Sequence, residues 1–240
     1  MRKLLNLAQA NRGKGAGIRS EVNDDVATIY VYDVIDSWFG VGADDMARTL
    51  AAITAPNISL RINSPGGDVF EARAMMAQLV GHSATVTAKI DGLAASAASF
   101  LAMAASSIEI ADGGFYMIHK GWTWMMGNAD DCRDTAALLD KIDASIVDTY
   151  ATKTSKSAEE IAALMKAETW FSAQEAVEAG FCDTILPTTA GSRANARAFN
   201  LSAFDKAPKA LLDQSIPDAI DDTARVRSLA RLHLYERTAA

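Results

Sequence analysis

The chain has 240 residues and a formal net charge of -7, with half of its residues apolar and 22% charged. That composition is too hydrophobic for a chain disordered throughout, and the length suits one sizeable core with extensions rather than two full domains. Residues 1–20 hold five basic residues and no acid, so the acidic excess lies in the body of the chain; this argues against a nucleic-acid partner, because phosphate neutralisation needs clustered Lys and Arg.

The start, MRKLLNLAQANRGKG, lacks the apolar stretch of a secretory signal and reads as part of a basic, solvated segment over 1–25. No run approaches the ~20 apolar residues that a membrane span requires, so a cytoplasmic protein without a membrane partner is expected. VATIYVYDVI at 26–35 and NISLRI at 57–62 are rich in β-branched residues and predict strands, with a helix over DDMARTLAAI between them. After the NSPGGD turn, Val69, Ala72, Met76, Leu79 and Val80 recur at helical steps, and Gly81 marks the stop. TVTAKI at 85–90 predicts a strand, GLAASAASFLAMAA at 92–105 a small-residue helix, and SSIEIA and FYMIH two short strands.

From Asn128 to about Lys153, Cys132, Ala136, Leu139, Ile142, Ile146 and Tyr150 mark one face of a long amphipathic helix. Ser157 with Glu160 and Ser172 with Glu175 have capping-box spacing and predict two further helices, the second ending at Gly180 before a short FCDTIL strand. Alternating strands and helices predict an α/β fold with a mainly parallel sheet over 26–187. Beyond Pro187 the residues lack a strong period, which predicts a linker and a C-terminal extension over 188–240 with a short helix near 219–237. Cys132 and Cys182 have no zinc-ligand spacing and both read as small core residues.

Three segments carry candidate chemistry. Ser96 follows a strand and opens a helix among residues with almost no side chains, so a substrate backbone can approach it; the same residues would suit close helix packing. Gly66 and Gly67 suit a turn whose N–H groups face an anion, although a plain strand-to-helix turn looks alike. His119 ends an apolar strand before a Gly/Trp loop, a position that fits a general base and equally a structural histidine.

Taken in order, INSPGG (62–67), GLAASA (92–97), MIH (117–119) and SAQEAVEAGFCDTI (172–185) resemble the proteolytic subunit family of the Clp protease, a family of serine peptidases; the likeness covers roughly 26–186. The resemblance implies a crotonase-like fold of repeated βαβ units with a long protruding helix. It also implies Ser96 as nucleophile, His119 as general base, the N–H groups of Gly67 and Ala97 as oxyanion donors, and chemistry that needs no metal or organic cofactor. With SAQEA in register, the family's catalytic aspartate falls on Leu164, so Glu168 is the candidate third catalytic residue.

As partners, the resemblance implies protein or peptide substrates and a homo-oligomer of heptameric rings stacked as a tetradecamer through the 128–153 helix; it leaves open whether an ATPase partner feeds the chamber. The loop GWTWMMGNADD and the ETW segment at 168–170 are most similar to head-maturation proteases of tailed bacteriophages, whose substrates are capsid, scaffold or portal proteins. Three alternatives remain open: a catalytically weak or inert assembly protein, an acyl-CoA enzyme on the same fold, and a Ser–Lys dyad using Lys89 or Lys120. Trp122 and Trp124 suit either a substrate groove or packing beneath the long helix.

Overall fold

The computed structural model describes Leu7, Asn11, residues 18–187 and residues 199–212; the helix expected near 219–237 lies outside them. Among the described residues, eight strands form one sheet. In chain order they are β1 (Ile18–Asn23), β2 (Val26–Val31), β3 (Asn57–Ser64), β4 (Thr85–Ala95), β5 (Ser107–Ala111), β6 (Phe115–Ile118), β7 (Thr169–Ser172) and β8 (Thr184–Leu186). The helices whose whole span is described are α1 (Ala43–Ala51), α2 (Val69–Gly81), α3 (Ala97–Ala102), α4 (Ala129–Ala151), α5 (Ala158–Lys166), α6 (Ala173–Glu178) and α7 (Lys209–Leu212).

The order β1-β2-β3-β4-β5-β8 is parallel except for the antiparallel hairpin of β1 on β2. That hairpin extends the sheet to before residue 26. Five of the six residues of β1 are exposed, so this edge strand has no apolar alternation from which to predict it.

The centre of the sheet is β4, which changes neighbour along its length. Thr87–Ile90 pair with β5, whereas Leu93–Ala95 pair with β6. Residues 92–95 therefore extend the strand, where a helix is predicted. Their small side chains let β3 and β6 approach from both sides, and Ser64 pairs with Ala94 while Ala95 pairs with Met117.

One face of the sheet is covered by helices. Leu60, Ile62, Ala88 and Ile90 meet Met46 and Leu50 of α1, Ala72, Met75 and Leu79 of α2, and the wholly buried α3 in one core. Each large aliphatic side chain removed from water here contributes about 1.5–3 kcal/mol. The opposite face stays half exposed and polar, with Arg61 held by Asp91 and Asp91 also accepting from Tyr32. Burial, and after it that carboxylate, pushes the Tyr32 hydroxyl well above its ordinary range.

The amphipathic stretch becomes the 23-residue α4, begun by Asn128, whose side chain accepts from the N–H groups of Asp130 and Asp131. Both predicted capping boxes form, at Ser157 and at Ser172. Only the C-terminal half of α4 is buried, through Asp143, Ile146, Val147 and Tyr150. Cys132 consequently corrects the expectation of two core cysteines. It lies on the projecting half of α4 and is exposed, whereas Cys182 is buried and its thiol is pushed up to about 12 by desolvation.

Candidate active site

The backbone register of β4 and β6 builds the site. Because Ala95 lies opposite Met117, the residue that follows β4, Ser96, donates its N–H to the Met117 carbonyl at 2.9 Å. His119, two residues beyond Met117, then stands beside the serine. Its Nε2 lies 2.7 Å from Ser96 Oγ.

Ser96 adopts φ 56° and ψ -126°, a conformation that few non-glycine residues take, and it presents the side chain at a sharp turn between β4 and α3. The turn is held from behind. Ser99 Oγ lies 2.7 Å from the Ser96 carbonyl and 2.8 Å from that of Met117, and it meets the Tyr150 hydroxyl at 2.8 Å. Tyr116 also donates to the Ser99 carbonyl at 2.7 Å. Tyr150 thus ties α4 to the nucleophile turn, a link missed in the sequence because the small-residue stretch gives no cue that Ser99 meets a residue 51 positions away.

The glycine turn closes over this one. A Cβ on Gly66, at φ +86°, would lie 2.5 Å from the Ala95 carbonyl and 2.7 Å from Ser96 Cβ, so only glycine permits the approach. Gly67, Ser96, Ala97 and His119 line one cleft of about 330 Å³. The N–H of Ala97 belongs to the first turn of α3, where the helix supplies no acceptor. Phe100, Ile142, Ile146 and Trp122 give the cleft apolar walls. Trp122 therefore belongs to the groove, while Trp124 is 59% exposed.

Two carboxylates act on His119. Desolvation lowers its pKa, and this is opposed in turn by the charge of Glu168, the charge of Asp143 and a backbone hydrogen bond with Lys120. Asp143, only 7% exposed, accepts the Gly121 N–H at 2.7 Å and lies 3.1 Å from Lys120 Nζ. It holds the loop that follows the histidine. An acid on the otherwise apolar face of α4, in a chain with Lys120 immediately after His119, was the available signal for it.

Glu168 is close enough to contribute charge, but the hydrogen bonds of its carboxylate run elsewhere, to the N–H groups of Asp205 and Lys206 and to Trp170 Nε1. Leu164 packs on the hydrophobic core. Neither lysine of the alternative dyad is directed at the serine: Lys89 pairs with Glu109 at 3.2 Å, and Lys120 pairs with Asp143. His82 accepts the Ala84 N–H beyond α2. Among the described residues, no helix is long and apolar enough to cross a membrane.

The family model described as Clp protease matches residues 42–189. The chain is 36% identical over 141 residues to ATP-dependent Clp protease proteolytic subunit 1 of Chlamydia muridarum, covering 56% of this chain and 73% of that one. It is 30% identical over 173 residues to proteolytic subunit 2 of Mycolicibacterium paratuberculosis, covering 71% and 81%. Against proteolytic subunit 1 of Protochlamydia amoebophila the identity is 31% over 170 residues, covering 68% and 81%. The mixed α/β sheet with its projecting α4 agrees with the fold of that group, and the chain belongs to the Clp protease family of serine endopeptidases.

Proposed function

We propose that Ser96 is the nucleophile of this peptidase and His119 its general base, with the N–H groups of Gly67 and Ala97 as oxyanion donors. The observation that carries the reading is the 2.7 Å approach of His119 Nε2 to Ser96 Oγ at the mouth of a cleft shared with both donors. Desolvation lowers the pKa of His119 and so favours the neutral imidazole that a base requires. It takes the hydroxyl proton as Oγ attacks the peptide carbonyl, and the two N–H groups hold the tetrahedral oxyanion until the leaving amine receives the proton and departs. Water then enters by the same route and releases the acyl group from Ser96. The charges of Glu168 and Asp143 favour the imidazolium formed at each step. We take Glu168, whose charge acts more strongly on His119 than that of Asp143, as the candidate acid of this set.

The test is labelling with a fluorophosphonate probe, comparing the unaltered protein with Ser96→Ala and His119→Ala. Labelling lost in both variants supports the assignment. Absence of labelling in the unaltered, correctly assembled protein would leave the inert assembly role.

Within this chemistry we infer a head-maturation role on prohead capsid, scaffold or portal proteins. It is supported by the resemblance of the Trp-containing loop after His119 and of the ETW segment to phage head-maturation proteases. Mapping the cleavage products of those proteins by mass spectrometry tests it; cleavage no faster than that of an unrelated unfolded protein counts against it. A stacked-ring homo-oligomer meeting through the exposed half of α4 is part of the same reading, as is an ATPase partner, which would fit the word ATP-dependent in the relatives' names. A monomer by light scattering at micromolar concentration would remove the ring.

A further inference from the structure

The apolar residues Phe199, Leu201, Ala203 and Phe204 lie beyond the predicted core boundary, yet all four are buried. They form a second cluster with Leu7, Leu93, Ala95 and Met117, with Trp170 packed against it. Leu93, Ala95 and Met117 lead directly into Ser96 and His119, so this strip of sheet adjoins the site. Asn11 fastens the start of the segment, since its side-chain oxygen accepts the Asn200 N–H at 2.7 Å and its amide donates to the Asn200 carbonyl at 3.1 Å.

The other end of the segment reaches the acid. The Phe204 ring stands edge-on to His119, with centroids 5.6 Å apart, and edge-on to Trp170 at 5.7 Å. Immediately after it, the Asp205 N–H donates to Glu168 Oε2 at 3.1 Å and the Lys206 N–H donates to Oε1 at 2.7 Å. Trp170 Nε1 adds a third donor to Oε1 at 3.3 Å, and Lys206 Nζ donates to the neighbouring Ala167 carbonyl. Glu168 sits at φ 48°, where a non-glycine residue needs support from its surroundings. The carboxylate that would orient the imidazole is thus engaged by the chain's own backbone, 37 and 38 residues further on.

We propose that Phe199–Lys206 is a clasp bound in cis to a peptide-binding strip beside His119, and that it withholds Glu168 from the imidazole and restrains the peptidase. When the segment leaves, Glu168 is free to accept from the second ring nitrogen, and the His119 face covered by Phe204 opens. The inference rests on Ser96 and His119 being nucleophile and base.

The experiment keeps the full chain and measures the rate constant of fluorophosphonate labelling at Ser96. Lys206→Pro removes one of the N–H groups that hold Glu168 while leaving the apolar anchors in place. The expected result is a rise of about tenfold, a fraction of the roughly 10⁴-fold that a triad acid can supply. Phe204→Ala, which loosens the clasp by a different contact, should raise the rate in the same direction. In the Lys206→Pro/Glu168→Gln double variant the rise must vanish, and a downfield imidazole N–H proton resonance expected in Lys206→Pro must vanish with it. Equal or slower labelling in both single variants, with circular dichroism unchanged, would overturn the clasp and make the segment a support for His119. No labelling in any variant would instead overturn the assignment of the nucleophile, and the clasp with it.

Discussion

The two sides of His119 are built differently. On the serine side, the partner is placed by strand pairing, a glycine turn and the buried Ser99–Tyr150 bond, all within the core of the sheet. On the acid side, Glu168 stands at a half-exposed strand start, and its hydrogen bonds reach a distant segment near the surface. Buried, mutually bonded groups have one arrangement that satisfies them, whereas a carboxylate near water can exchange partners at little cost. The serine side is therefore the fixed half of the site and the acid side the adjustable one.

Removing the fixed half should have the largest effect. Ser96→Ala or His119→Ala is expected to lower kcat by about a million-fold, as for other serine peptidases, read by peptide hydrolysis with assembly checked separately. Gly66→Ala comes next, because its Cβ would enter the Ala95 carbonyl and the backbone sits at positive φ. A loss of more than about 2 kcal/mol in denaturant unfolding is expected. A smaller loss would mean that the glycine turn can withdraw from the nucleophile. Tyr150→Phe deletes one buried hydrogen bond and should cost about 1 kcal/mol.

The pH profile separates the two halves further. Desolvation lowers the pKa of His119, so labelling should rise with pH through a midpoint below that of an ordinary histidine. Unfolding stability has the same sign: as pH falls from the unfolded to the folded value, the unfolded chain takes up a proton that the folded site resists, and stability declines. Glu168→Gln removes a charge that raises this pKa and should move the midpoint lower still. An unmoved midpoint would separate the acid side from the base altogether. The smallest effect is expected on the projecting part of α4, where Arg133→Ala breaks an exposed pair with Asp130 and should change stability by less than about 0.5 kcal/mol.

Local chemistry made most of the fold legible. The capping boxes at Ser157 and Ser172 and Asn128 before α4 formed where the spacing predicts, and the β-branched runs became β2 to β5, although β2 stops at Val31 rather than at residue 35. Ser96 and His119 were legible as a pair only through the ordered motifs INSPGG, GLAASA and MIH and the family they resemble, because each residue alone suits a structural role equally well. The same local signals failed at residues 92–95, whose small side chains resemble a helix but serve to admit strands on both sides. They also failed at β1, an exposed edge that carries no period.

By itself the sequence determined the alternation of strands and helices, their caps, the glycine turn, and the serine and histidine that face each other. Only the tertiary structure decided which groups stand around that pair. Ser99 meets Tyr150, Asp143 anchors the loop after His119, and Asp205 and Lys206 occupy Glu168. These contacts join positions 22 to 51 residues apart. No periodicity encodes such pairings, because they depend on how whole elements pack and on which buried polar groups must then find partners.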